Sequence, residues 1–316
     1  MPELVCAGRS WTVAAGSNLL DALNAAGLRV PYSCRAGSCK ACMVRCRGGK
    51  PLDARPEALP ATQREQGWRL ACQCRIDGGL QVELFDPARD GLAAQVQAVD
   101  WLRRDVLRLR LLPERPLRYR AGQHLLLWTP DGIARPYSLA SLPDDDRWLE
   151  FHLDCHRPGA FREAARRLRP GDGLRLGQLH GGALHYDPDW AERPLLLLAS
   201  GTGLAPLWAV LREALRQGHA GPIRLLHRTH GTSYLAEPLL QLAQQHDLDV
   251  QWLDADQPWN DQVLQIASRQ EIALVCGHAD FVAACCRRLF LAGLPRGQVF
   301  SDTFIERNVS GGLSGG

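Results

Sequence analysis

Four cysteines stand within one short run, SCRAGSCKACMVRC: Cys34, Cys39, Cys42 and Cys46. Thiols this dense leave a chain few options, because each must be paired, ligated or kept reduced. The chain opens MPELVCAGRS, without the basic stretch and apolar run of a secretory signal. Its eleven cysteines are therefore expected to be reduced thiols and metal ligands in a cytoplasmic protein, not a disulfide framework. The net charge of +3 over 316 residues is too weak for a nucleic-acid binder. No run approaches the ~18 apolar residues of a membrane span. The longest, PLLLLA at 194–199, suits a buried strand.

Spacing narrows the metal. Four residues separate Cys34 from Cys39 and two separate Cys39 from Cys42. Beyond Cys46 the next candidates are Cys72 and Cys74, and twenty-nine residues lie between Cys42 and Cys72. C-x4-C-x2-C with a distant fourth cysteine is the plant-type spacing for a [2Fe–2S] cluster. Thiolates suit ferric iron, and the small Ala36, Gly37, Ser38 and Ala41 let backbone N–H groups turn toward sulfur. Two rivals fit less well. Cys39, Cys42 and Cys46 partly mimic a bacterial cubane run, but that run needs a further x2 spacing and a Pro after its last cysteine, where Arg47 stands here. Zinc ribbons show two matched C-x2-C knuckles, and this chain has one.

Three regions follow from the patterning. Residues 1–88 read as a compact α+β unit. A hairpin turns at Gly8-Arg9, and a helix over SNLLDALNAAG has Ser17 as N-cap and Gly27 as C-cap. Strands MVRCRGG and LQVELFDP come later, and DPARDGL at 86–92 is the first plausible linker. Residues 92–190 hold six strand patterns divided by Pro, Gly and Asp turns, with one helical insert at GAFREAARRLRPGD; this predicts a closed antiparallel barrel. Residues 192–309 alternate strand and helix, which predicts a parallel sheet covered on both faces. SGGLSGG at 310–316 reads as a flexible tail.

Further motifs sit on these elements. In RPYSLAS, strand alternation projects Arg135 and Tyr137 together and Ser138 the other way. Arg135 suits a phosphate, and Tyr137 suits a flat ring. PGAFRE places Gly159 and Ala160 at a helix start. GTGLAP, Gly201 to Pro206, is a glycine turn between a buried strand and a helix, where backbone can approach a pyrophosphate; it is not the G-x-G-x-x-G fingerprint. LVCGHADFV ends a strand at Cys276 and Gly277.

Taken in order, these motifs resemble the ferredoxin–NADP reductase superfamily over residues 3–306, including oxygenase reductase components and the reductase for CDP-6-deoxy-Δ3,4-glucoseen. The resemblance implies a β-grasp [2Fe–2S] ferredoxin domain, a six-stranded antiparallel FAD-binding barrel and a parallel α/β nicotinamide-binding domain. WRLACQC is similar to the LxCQ end of such ferredoxin domains, which makes Cys72 the fourth ligand beside Cys34, Cys39 and Cys42, and leaves Cys46 and Cys74 as spare thiols. By the same resemblance Arg135, with Pro136 in its motif, meets the FAD pyrophosphate, Tyr137 packs on the flavin, and Ser138 bonds near flavin N5. Gly159 and Ala160 stand where the family has Gly-Gly-x-x-Ser/Thr, with Arg162 near the expected hydroxyl. Gly201, Thr202, Gly203 and Pro206 match the nicotinamide-domain motif. Cys276, with Gly277, lies beside nicotinamide C4, and His278 replaces the family's Pro. FSDTF has Asp302 for the family's Glu, and its Phe304 covers the flavin's nicotinamide-facing side.

The implied reaction passes electrons from NAD(P)H through FAD and the cluster to a partner oxygenase or other redox protein. Alternatives are a reductase acting directly on a small molecule or metal ion, and a redox sensor. Arg228, with Thr229 or Ser233, is the candidate reader of the 2′-position, and the resemblance favours NADH. Arg35, Lys40, Arg45, Arg47 and Lys50, with no acidic residue among them over 33–50, suggest a basic rim that docks an acidic partner.

Overall fold

The computed structural model describes residues 1–257 and 264–304; the expected tail at 310–316 and the end of the third region, 305–309, lie outside the described residues. In the N-terminal region a five-stranded sheet has the order Arg9–Thr12, Glu3–Cys6, Leu80–Leu84, Met43–Gly48, Trp68–Leu70. Glu3–Cys6 and Leu80–Leu84 run parallel, while the outer pairs are antiparallel. Helix Leu19–Ala25 buries Leu19, Leu20 and Leu23 in this core.

Two local details differ from the sequence reading. The hairpin turns at Ala7-Gly8, because Cys6 already pairs with Arg9; both turn residues have positive φ, as a two-residue hairpin loop requires. Asn18, not Ser17, caps the helix by accepting from Asp21 N at 3.3 Å, since Ser17 is drawn into a short strand opposite Ile76. The expected linker carries a short helix, Pro87–Asp90, capped by the Asp86 side chain.

The six predicted barrel strands form one antiparallel sheet in the order Ala134–Ser138, His124–Trp128, Gly173–His180, Leu92–Arg103, Val106–Pro113, Leu149–Asp154. Beyond Ser138, Ala140 N donates to Glu150 O at 2.8 Å and joins the two outer strands. By compactness the chain divides into two units. One is Met1–Ala93 with Leu126–Pro136 and Leu174–Gln178; the other is the remainder. Inside the first unit, Ala41 of the cysteine loop packs with Leu126, Trp128 and Ala134, and Cys39 and Phe85 border the group. Phe85 stacks on Trp128 with centroids 5.6 Å apart.

Within the second unit a five-stranded parallel sheet has the order Leu248–Asp254, Ile223–Thr229, Leu195–Ser200, Ile272–His278, Val299–Phe304. Alternation builds its two cores. Leu197, Leu225 and Leu274 face helix Leu204–Arg216, whereas Leu198, Leu226 and Val275 face helix Ala279–Leu291. The strand Val299–Phe304 escaped the sequence reading because it is an edge strand, half-buried throughout, with Ser301 and Asp302 diluting any apolar run. The order reverses between Leu195–Ser200 and Ile272–His278, and a ligand crevice belongs outside their carboxyl ends.

Candidate cluster and nucleotide sites

The cysteine loop is held in a tight path by Arg35, Gly37 and Lys40, all left-handed at φ 51, 80 and 55°. Two of these are not glycine, a conformation that persists only where surroundings enforce it. Lys40 Nζ supplies part of that enforcement by donating to the Gly37 carbonyl at 2.8 Å and to the Ala58 carbonyl. Burial pushes its ammonium downward. The path turns backbone N–H groups onto sulfur. Ala36 N and Cys39 N each donate to Cys34 Sγ at 3.3 Å, and Cys34 N donates to Cys39 Sγ at 3.4 Å.

Cys72 comes to the loop on a short helical turn, Ala71–Gln73. Ala71 N donates to Cys42 O at 2.9 Å, and Asn18 Nδ2 donates to Cys72 O at 2.9 Å. Gln73 Nε2 bridges Cys72 Sγ at 3.2 Å and Arg35 O at 2.8 Å. The four sulfurs stand as two hydrogen-bonded pairs, Cys34 with Cys39 and Cys42 with Cys72. The Cys39 hydrogen bond, aided by backbone donors, holds the Cys34 thiol down at about 4; the Cys42 hydrogen bond holds Cys72 at about 7. Their partners are pushed up by the shared proton and by burial. Among the described residues no three Cys, His, Asp or Glu side chains converge on one ion position. Thiols in two pairs, with backbone N–H groups turned onto sulfur, are a donor set that fits an iron–sulfur cluster.

The spare thiols stand apart. Cys46 lies on Met43–Gly48, where burial pushes its thiol to about 11, and Cys74 is fully buried in the core. The basic rim is partly neutralised. Arg35 pairs with Asp21 at 2.6 Å and Arg47 with Glu83, while Arg45 Nε donates to Gln66 O at 2.7 Å.

On the flavin-motif strand, Arg135, Pro136 and Tyr137 are half-buried and Ser138 is buried. Tyr137 lies against Phe161, with centroids 5.1 Å apart. Phe161 is buried on the six-residue helix Ala160–Ala165, which Gly159 precedes in extended backbone. Sequence reasoning missed this ring, although it stands inside the quoted PGAFRE. Arg162 turns back to donate to Arg157 O at 3.1 Å.

At the crevice, Gly201–Gly203 forms a tight turn into helix Leu204–Arg216, with Pro206 in its first turn. Glycine is obligatory at two places. A Cβ on Gly203 would stand 2.3 Å from Cys276 O, and one on Gly277, where φ is 147°, would stand 2.0 Å from Ser200 Oγ. These contacts bring the Ser200–Gly203 turn and the end of the Cys276 strand together. His278 N donates to Ser200 Oγ at 3.1 Å, a bond that a proline there could not make. Cys276 is fully buried in the core that contains Leu204 and Tyr234 and that Phe304 borders; burial pushes its thiol well above the ordinary range.

The strand Ile223–Thr229 supplies a support that the sequence did not signal. His227 is fully buried; Nε2 meets Gly201 O at 2.9 Å, and Nδ1 meets Ser233 Oγ at 2.8 Å. Desolvation lowers its pKa to about 4, so the neutral ring braces the glycine turn. Ser233 and Thr229 are both buried and so committed inward, against the expectation that either reads the 2′-position. Arg228 remains at the crevice end of the strand, with Nη2 donating to Ala255 O at 2.8 Å.

Residues 5–77 match the family described as a 2Fe-2S iron-sulfur cluster binding domain. The chain is 31% identical to the ferredoxin–NAD(P)(+) reductase component of the naphthalene 1,2-dioxygenase system of Pseudomonas putida, over 93% of this chain and 95% of that one. It is 34% identical to the ferredoxin–NAD(+) reductase component of the alkene monooxygenase system of Xanthobacter autotrophicus, over 69% of each. Among solved structures, an Amycolatopsis cytochrome P450 reductase matches with a TM-score of 0.65 at 25% identity, covering 96% of this chain and 99% of that one.

Proposed function

The chain belongs to the family of oxygenase reductase components, ferredoxin–NAD(P) reductases with an N-terminal [2Fe–2S] domain, and from this premise we propose that it carries electrons from NAD(P)H to an oxygenase system. FAD and the cluster, when bound, convert one hydride into single-electron transfers; the protein's part is to hold and tune them. Cys34, Cys39, Cys42 and Cys72 would hold the cluster, and the N–H groups of Ala36 and Cys39, which donate to Cys34 Sγ, would stabilise the charge on that sulfur. Arg135 would neutralise the FAD pyrophosphate, Tyr137, which lies against Phe161, would offer its ring to the flavin face, and Ser138 would bond near N5. Gly159 and Ala160 present backbone to the same pyrophosphate. The turn Gly201, Thr202, Gly203 with Pro206 would receive the dinucleotide, Gly277 lets its strand end pack against Ser200 beside that turn, and Cys276 would stand near nicotinamide C4. Phe304, at the end of the edge strand, would cover the nicotinamide-facing side of the flavin.

The observation that carries this reading is the meeting of the Cys72 turn with the cysteine loop across the sequence, where Ala71 N donates to Cys42 O at 2.9 Å. Purified, anaerobically reconstituted protein is expected to show flavin bands and iron–sulfur absorption, and to oxidise NADH steadily with cytochrome c. Absence of both chromophores overturns the reading.

NADH is the favoured donor. The Arg228 guanidinium is engaged by the Ala255 and Gln257 carbonyls, and the Asp256 carboxylate lies 3.1 Å from His230 beside it, which disfavours a 2′-phosphate. A cytoplasmic setting is proposed from the cysteine-rich sequence itself, whose ligand thiols must stay reduced. Docking of an acidic partner would fall to the exposed side chains of the basic rim, such as Arg35 at 48% exposure, and not to Lys40, which braces the loop. Among the described residues no helix is long and apolar enough to cross a membrane.

A further inference from the structure

Arg103 ends the barrel strand Leu92–Arg103, yet most of its hydrogen bonds serve a turn of the nucleotide sheet. Its Nε and Nη2 grip both carboxylate oxygens of Asp105, at 2.6 and 3.0 Å. Its Nη1 donates to Thr229 Oγ1 at 2.9 Å, to the His230 carbonyl at 3.0 Å and to the Thr232 carbonyl at 3.1 Å. A guanidinium can do this because its planar fork fills a carboxylate and still has N–H groups to spare; a lysine would offer one point charge.

The turn begins where strand Ile223–Thr229 ends, at the carboxyl edge of the sheet. In open α/β sheets this edge faces the ligand, and the run after the second strand meets the adenosine ribose. Successive strand residues point to opposite sides, so holding Thr229 inward fixes the outward course of Arg228. A second barrel side chain ties the far end of the turn. His152 Nδ1 meets the buried Tyr234 hydroxyl at 3.2 Å, while His152 Nε2 meets Glu150 at 2.9 Å.

We propose that Arg103 is a positioning residue for the dinucleotide: from the barrel it sets the 229–232 turn that receives the adenosine ribose, and through Arg228 it influences the choice between NADH and NADPH. The proposal rests on the reading of this crevice as the NAD(P)H site. Rapid-mixing flavin reduction of the reconstituted full-length protein, with each nucleotide, tests it in wild type, Arg103→Met and Arg103→Lys. In Arg103→Met the Kd for NADH is expected to rise about tenfold, with a smaller rise in Arg103→Lys. The limiting reduction rate should stay within about twofold, and the NADPH-to-NADH ratio of Kd values should change at least about threefold. Equal weakening of both nucleotides, or a slower limiting rate at unchanged Kd, overturns the proposal. Should Arg103→Met lose its FAD, Thr229→Val removes one acceptor and is expected to raise Kd about threefold; no rise overturns it. A wild type reduced by neither nucleotide overturns the underlying reading and this proposal with it. Normal wild-type reduction beside an unaffected Arg103→Met overturns this proposal alone.

Discussion

In the cysteine loop, three of the four sulfurs come from residues 34–42, and the Cys34 and Cys39 sulfurs accept from N–H groups of the same run. In the nucleotide crevice, Ser200 and His278 are joined across 78 positions, and the brace beneath them comes from His227. One site is local backbone wrapped on sulfur, completed by a single distant residue. The other is assembled from strand ends that neighbour one another only once the sheet has formed. A local site writes its spacing into the sequence and fails residue by residue. An assembled site fails through its supports.

The largest contrast is expected from ligand removal. Cys72→Ser should abolish the cluster's visible absorption, while Cys46→Ser and Cys74→Ser retain it; retention in Cys72→Ser would break the pairing described above. Next comes Gly203→Ala, whose methyl meets Cys276 O. A cost of about 3 kcal/mol and loss of NADH binding are expected, with the cluster at full occupancy, read by thermal melts and nucleotide titration.

A comparable effect appears with pH. His227 binds its proton near pH 6.5 when unfolded and only near 4 when folded, so its stabilisation is complete above pH 6.5 and falls as pH drops toward 4. The loss amounts to about 3 kcal/mol at the acid end. His227→Gln should flatten that slope in Tm against pH; an unchanged difference between pH 7 and pH 4.5 would remove the ring from the account. The smallest effect is expected at Arg35→Gln. Breaking its exposed pair with Asp21 should cost under about 1 kcal/mol, yet should weaken the salt dependence of electron transfer to an acidic partner.

Much of this was legible in the sequence, for physical reasons. The cluster spacing is fixed by bond lengths to iron, so Cys34, Cys39 and Cys42 stand at diagnostic intervals. All six barrel strands and four of the five nucleotide strands carry alternating or continuous apolar patterns. The edge strand Val299–Phe304 lacks such a pattern because nothing covers it fully. Arg103, His152 and His227 were invisible because a polar residue in a strand has no local signature of its partner. Thr229 and Ser233 misled for the same reason: their hydroxyls suit a ribose equally well until packing turns them inward.

The stack of Phe85 on Trp128, with Ala41 and Ala134 alongside, bears on how such a chain can be taken apart or recombined. A cut at the sequence linker would uncover Phe85 and the Ala41 loop on one half and Trp128 with Ala134 on the other. Excision of the N-terminal module should therefore yield a sticky fragment, and grafting it onto a foreign reductase should succeed only if the recipient offers a matching tryptophan shelf. The transferable part is the module together with the surface it rests on.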